Sequence, residues 1–70
     1  MIVYNRLWDT MKRKHISQYS LIMKYDIDKA QLQRLRKNMV VKTIILDRLC
    51  GILECEIEEI MQYIPDNDKP

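Results

Sequence analysis

Seventy residues, 47% of them apolar and one of them glycine, describe at most one small helical domain. A chain of this size buries only about 60% of the surface its unfolded form exposes, which excludes a catalytic scaffold of ordinary size and makes dimerisation a plausible source of extra stability. The net charge of +2 hides an asymmetry: residues 11–42 carry nine Lys or Arg against Asp26 and Asp28, whereas residues 43–70 carry Arg48 and Lys69 against seven acids.

The scarcity of Gly and Pro before Pro65 argues against an all-β fold, and the apolar content argues against disorder. No run of about 18 apolar residues is present for a membrane span, and MIVYNRLWD turns polar too early for the apolar core of a signal peptide. The expectation is a cytoplasmic protein without membrane contact. Cys50 and Cys55 lack a second cysteine pair, and His15, the one histidine, is distant in sequence, so no metal or other cofactor is expected. In a reducing compartment the two thiols read as free and packed.

In chain order, the first helix spans about Asn5 to Lys14. Asn5 is placed to cap it, and Tyr4, Leu7, Trp8 and Met11 form an apolar stripe at helical spacing. Arg6, Lys12 and Arg13 fall on its wet face. Trp8 belongs to the core stripe rather than to a stacking surface, and His15 ends the helix, with Ile16 packing onto the next one.

Ser17 supplies the hydroxyl cap of a second helix in which Leu21, Ile22 and Tyr25 face inward and Lys24 outward. Tyr25, Asp26 and Ile27 make a tight turn. Asp28 then opens a third helix, with Gln31 three residues on as the partner of a capping box. Across the turn the apolar spacing shifts from i,i+4 (Leu21, Tyr25) to i,i+3 (Leu32, Leu35), as two helices sharing one core require. This is a helix-turn-helix pattern lying within the basic segment.

Because Leu32 and Leu35 point inward, Lys29, Ala30, Gln33 and Arg34 lie on the outer face of the third helix. These are the side chains a DNA major groove accommodates: Arg34 suits guanine, Gln33 adenine, Lys29 guanine or a phosphate, and Ala30 a thymine methyl. Gln18, Lys24, Lys37, Asn38 and Lys42 are candidates for phosphate contact. A generic solvated helix also carries Lys, Gln and Arg, so composition alone leaves that alternative open.

Met39, Val40 and Val41 form an apolar connection, expected to be buried beneath the loop, with exposure to a partner as the alternative. The fourth helix begins at Lys42 or Thr43, with Ile45, Leu46, Leu49, Cys50 and Leu53 inside and Asp47 and Arg48 on the wet side. Gly51 within it suggests close approach of another helix. A fifth helix is predicted over roughly Ile57 to Tyr63, led by Glu56, Glu58 and Glu59, with Ile57, Ile60 and Met61 closing the core; Pro65 stops it, and 65–70 is a polar tail. The prediction is an all-α compact bundle of about five short helices, with one domain over residues 1–64.

From about Tyr4 to Tyr63 this pattern resembles the small Cro/repressor, or XRE, helix-turn-helix proteins. The motif in that family begins at a Gln, here Gln18, and has apolar residues where Leu21, Tyr25, Ile27, Leu32 and Leu35 stand; LDRLCGILECEIEEIMQYIPD is similar to the end of its compact subgroup. The resemblance implies a lambda-repressor-like DNA-binding fold, and no enzyme is expected, since no nucleophile, base and orienting group occur together in the sequence. It implies a transcriptional regulator, a repressor, with base contacts at Lys29, Ala30, Gln33 and Arg34, bound to double-stranded DNA as a homodimer. No small-molecule ligand is implied. Two positions depart from the family pattern: Ile22 stands where a small residue is usual, and Asp26 stands where Gly is usual, although Asp tolerates the left-handed backbone better than most residues. The alternative function is a protein-interaction module, antitoxin-like or adaptor, on the same fold.

Overall fold

The computed structural model describes residues 1–65. In order these form β1 (Ile2–Val3), α1 (Asn5–Lys14), α2 (Gln18–Met23), α3 (Lys29–Arg36), α4 (Thr43–Leu53), a 3-10 turn (Ile57–Glu59) and β2 (Gln62–Tyr63). One core joins them, built from Tyr4, Leu7, Met11, Leu21, Ile27, Leu32, Leu35, Leu46, Leu49, Leu53 and Ile60. The apolar spacing of every α-helix therefore points to a shared interior, which is the main source of stability for helices too short to persist alone. Among the described residues no helix is long and apolar enough to cross a membrane.

Four α-helices replace the predicted five. The segment expected as a helix from Ile57 to Tyr63 makes one 3-10 turn and then becomes β2, which pairs antiparallel with β1, Ile2 opposite Tyr63 and Val3 opposite Gln62. Length alone does not decide this, since α2 is a helix of six residues; the segment instead pairs with β1, whose Val3, buried at 4% exposure, stands opposite Gln62. Ile60 is fully buried as expected, but Ile57 is exposed and does not close the core. The 3-10 turn is held instead by a reciprocal cap in which Glu56 and Glu59 each accept from the other's backbone N–H. Arg13 pairs with Glu59 at 3.1 Å, and the hydroxyl of buried Thr10 donates to the Glu59 carbonyl at 2.7 Å, tying the turn to α1. The amide of Glu56, first, and Arg13, second, hold the Glu59 carboxyl below the usual glutamate range. Of the expected polar tail, Pro65 is exposed and 66–70 lies outside the described residues.

Helix ends follow the cap chemistry with two exceptions. Asn5 is the first helical residue rather than the cap; Tyr4 occupies the cap position and offers no side-chain acceptor, being buried. Ser17 does cap α2, its Oγ accepting from Ser20 N–H at 3.0 Å. Asp28 caps α3 through Ala30 N–H at 3.0 Å, but the expected box with Gln31 does not form: Gln31 Oε1 is buried without a hydrogen-bond partner. His15, Asp26, Asn38 and Glu54 carry positive φ of 58, 63, 56 and 51°, so four left-handed positions are filled without glycine. The glycine, Gly51, sits inside α4, and a Cβ built there meets nothing within 4 Å. The close helix approach predicted at Gly51 is therefore absent.

Trp8 and Ile22 pack against the core from its margin, half-buried rather than fully enclosed. Of the connection after α3, Met39 is 46% and Val40 83% exposed, while Val41 packs inward. The simpler expectation of burial fails for the first two, because the left-handed Asn38 turns the chain outward there.

Candidate nucleic-acid interface

The turn between α2 and α3 sets the position of the outer face of α3. Asp26 takes the left-handed conformation, and Ile27, 1% exposed, anchors the far side of the turn in the core, its N–H donating to the Leu21 carbonyl at 2.8 Å. From α4, Arg48 donates to the carbonyls of Tyr25 and Asp26, two acceptors of the turn itself. Arg48 is thus not merely on a wet face. It is a clamp on the turn, and its spacing on α4 gave no signal of this because its partners are backbone atoms some twenty residues earlier.

With Leu32 and Leu35 fully buried, Lys29, Ala30, Gln33, Arg34 and Lys37 are all exposed. Ala30, Gln33 and Lys37 follow one another at i, i+3 and i+7 down the middle of that face. One flank is organised by Arg36, whose guanidinium donates to Gln18 Oε1 on α2 and, at 3.1 Å, to Gln33 Oε1. Gln18 and Gln33 are thereby brought together, each with its amide N–H groups free of those bonds. Arg36 is not among the residues predicted for this surface; its i+3 relation to Gln33 is the local signal that could have pointed to it.

On the other flank Arg34 donates a long hydrogen bond, 3.5 Å, to the Val40 carbonyl. It lines a shallow cleft of about 310 Å³ with Gln31, Val40, Val41 and Lys42. Lys42 immediately precedes α4 and is exposed, so two cations stand side by side at this edge. Lys24 stands apart, at the C-terminal end of α2 with its ammonium 5.7 Å from the Tyr25 ring centre.

Asn38 departs most from the expectation. Its Oδ1 accepts from Tyr4 N–H at 2.9 Å, and the Tyr4 hydroxyl donates to the Met39 carbonyl at 3.0 Å. The acceptor end of Asn38 is committed to joining the start of α1 to the end of α3, leaving only its amide N–H groups for an outside partner. Burial pushes the Tyr4 hydroxyl up in pKa, further into the range where it is protonated and donates.

The surface is thus an exposed helix face rich in donors, flanked by cations, with a second helix joined to it through a bridging arginine. Among the described residues no group of three or more His, Cys, Asp or Glu is gathered to hold a metal ion. No curated protein matches the chain. A solved structure, that of the transcriptional regulator VanUg, is similar at 25% identity and a TM-score of 0.83, over 93% of this chain and 87% of that one. The family model for the Cro/C1-type helix-turn-helix DNA-binding domain matches residues 6–66. The bridged pair of helices lies wholly inside that match, and the chain belongs to the family of Cro/C1-type helix-turn-helix DNA-binding domains.

Proposed function

We propose that the protein is a sequence-specific transcriptional repressor that inserts α3 into the major groove of double-stranded DNA. The observation that carries this reading is the exposed row Lys29, Ala30, Gln33 and Arg34 on a helix joined to α2 through the Arg36–Gln18 hydrogen bond and the shared core. Lys29 and Arg34 read guanine, Gln33 adenine and Ala30 a thymine methyl. Gln18, Lys24, Lys37 and Lys42 contact phosphates, and Asn38 adds an amide donor beside them. Regulation follows from occupying a site, and a homodimer on a palindrome with half-sites ~34 Å apart suits a module that reads only a few base pairs. In vitro selection of bound sequences from a random DNA pool tests this directly. A palindromic consensus is expected; a bound pool no different from the input overturns sequence-specific reading.

The exposed Met39 and Val40 favour a second reading, in which the same fold binds a protein partner through this apolar corner. Salt dependence separates the two. DNA binding should weaken steeply with salt, by about 0.9 log units per log unit of salt for each phosphate neutralised, whereas contact through an apolar patch should not.

A further inference from the structure

Helix α4 ends in a left-handed residue, Glu54, and the N–H of Cys55 donates to the carbonyl of Cys50 at 3.1 Å. This is the six-to-one bond of a Schellman cap, with Cys50 three residues before Leu53, the last helical residue, and Cys55 just beyond the left-handed residue. The geometry brings those two side chains into contact, and ordinarily both are apolar. Here both are thiols, each half-buried at the margin of the core and near enough to the other to interact.

We propose that Cys50 and Cys55 form a two-thiolate site for a soft monovalent cation of the Cu(I) class, closed by the cap of α4. Soft thiolate sulfur selects soft metals. Zinc is a poor match because it takes four ligands in a structural site, and no third His, Cys, Asp or Glu joins the pair among the described residues. Two-coordinate Cu(I) needs only the pair. Binding breaks two S–H bonds, releases both protons to water and forms two S–Cu bonds; the copper remains Cu(I) and no electron is transferred. Asp47, Glu56, Glu58 and Glu59 lie within electrostatic reach of the thiols, with Lys14 on the Cys55 side, a setting that concentrates cations over anions. A bound ion would fasten the end of α4 to the residue that leads into the 3-10 turn.

The test is an anaerobic titration of the full chain with Cu(I) in competition with bathocuproine disulfonate. One copper per chain is expected, with Cys50→Ser and Cys55→Ser each weakening binding by more than about 100-fold. A second readout is thermal: because the ion binds the folded chain, Cu(I) should raise the melting temperature of the wild type and leave both serine variants unchanged. Should a serine variant lose its helical circular dichroism, alkylation of both thiols in the folded wild-type chain takes its place, with the same losses expected. Retained affinity in either variant, or in the alkylated chain, overturns the site. So does a stoichiometry of one copper per two chains, which would place the ligands on different molecules, or conversion of the pair to a disulfide with no copper bound.

Discussion

At the scale of single residues, the chain handles backbone conformation in an unusual order. Its glycine stands at a helical position with open space around the missing Cβ, while His15, Asp26, Asn38 and Glu54 carry the left-handed positions. Gly51→Ala should therefore stabilise the fold by about 1 kcal/mol, since it removes backbone freedom from the unfolded chain and meets no neighbour. Urea unfolding monitored by circular dichroism measures this; a fall in the midpoint would mean that the space is used. Asn38 is the opposite case. It tolerates the left-handed backbone and supplies the acceptor for Tyr4 N–H. Asn38→Ala loses both, leaving a partly buried donor unpaired, and should cost about 1–3 kcal/mol. Lys37→Ala, one residue earlier and exposed, should change stability by less than about 0.5 kcal/mol. Equal effects of the two on unfolding would remove the structural role of Asn38.

At the scale of elements, what the sequence revealed and what it concealed divide by the range of the interaction. The turn, the start of α3 and the buried Leu32 and Leu35 were legible because cap, period and turn are local. The 3-10 turn and β2 were not, because their identity depends on β1, some sixty residues earlier, and on Arg13 and Thr10 of α1. Arg36 and Arg48 were under-read for the same reason: each reaches a partner on another element. For Arg48 the partners are carbonyls at the motif turn, so Arg48→Ala should destabilise by about 1–2 kcal/mol and weaken DNA binding without direct contact. Restored affinity in Arg48→Lys, which keeps one donor, would support a positioning role. The Glu59 cap gives a pH dependence. Its folded-state pKa is depressed by the Glu56 amide and by Arg13, so its contribution is fully present above the ordinary glutamate value of ~4.3. It is lost as pH falls through the lower folded value. Glu59→Gln should thus lower the melting temperature at pH 7, and the difference between the two proteins should shrink as pH falls below ~4.3. A constant difference across that range would assign the effect to packing rather than to the carboxylate.

For the whole molecule, the charge asymmetry of the chain acquires a spatial meaning. The exposed cations Lys29, Arg34, Lys37 and Lys42 gather on α3 and the loop that follows it, while Glu54, Glu56, Glu58 and Glu59 belong to the segment packed on α1. Cations of α1 offset part of that acidic side, Arg13 pairing with Glu59 and Arg6 donating to the Glu58 carbonyl; on the proposed function the cations of α3 and its loop would turn that face toward DNA. Orientation and reading are separable in the mutants. Arg34 borders its cleft with the guanidinium only weakly held, by one 3.5 Å bond, and is available to a base. Arg34→Ala should cost about 1–3 kcal/mol on the selected sequence and relax preference at one base pair, with little loss on random DNA. Lys37→Ala should weaken both DNAs alike and reduce the salt slope by ~1. Competition gel shifts with specific and random duplexes over a range of salt measure both quantities at once. If Arg34→Ala lost affinity equally on the two duplexes, Arg34 would be a phosphate contact, and the reading edge of α3 would shrink to Lys29, Ala30 and Gln33. Since Gln33 is oriented by Arg36, Arg36→Ala should then relax specificity more than Arg34→Ala does, and that ordering decides which flank of the helix faces the bases.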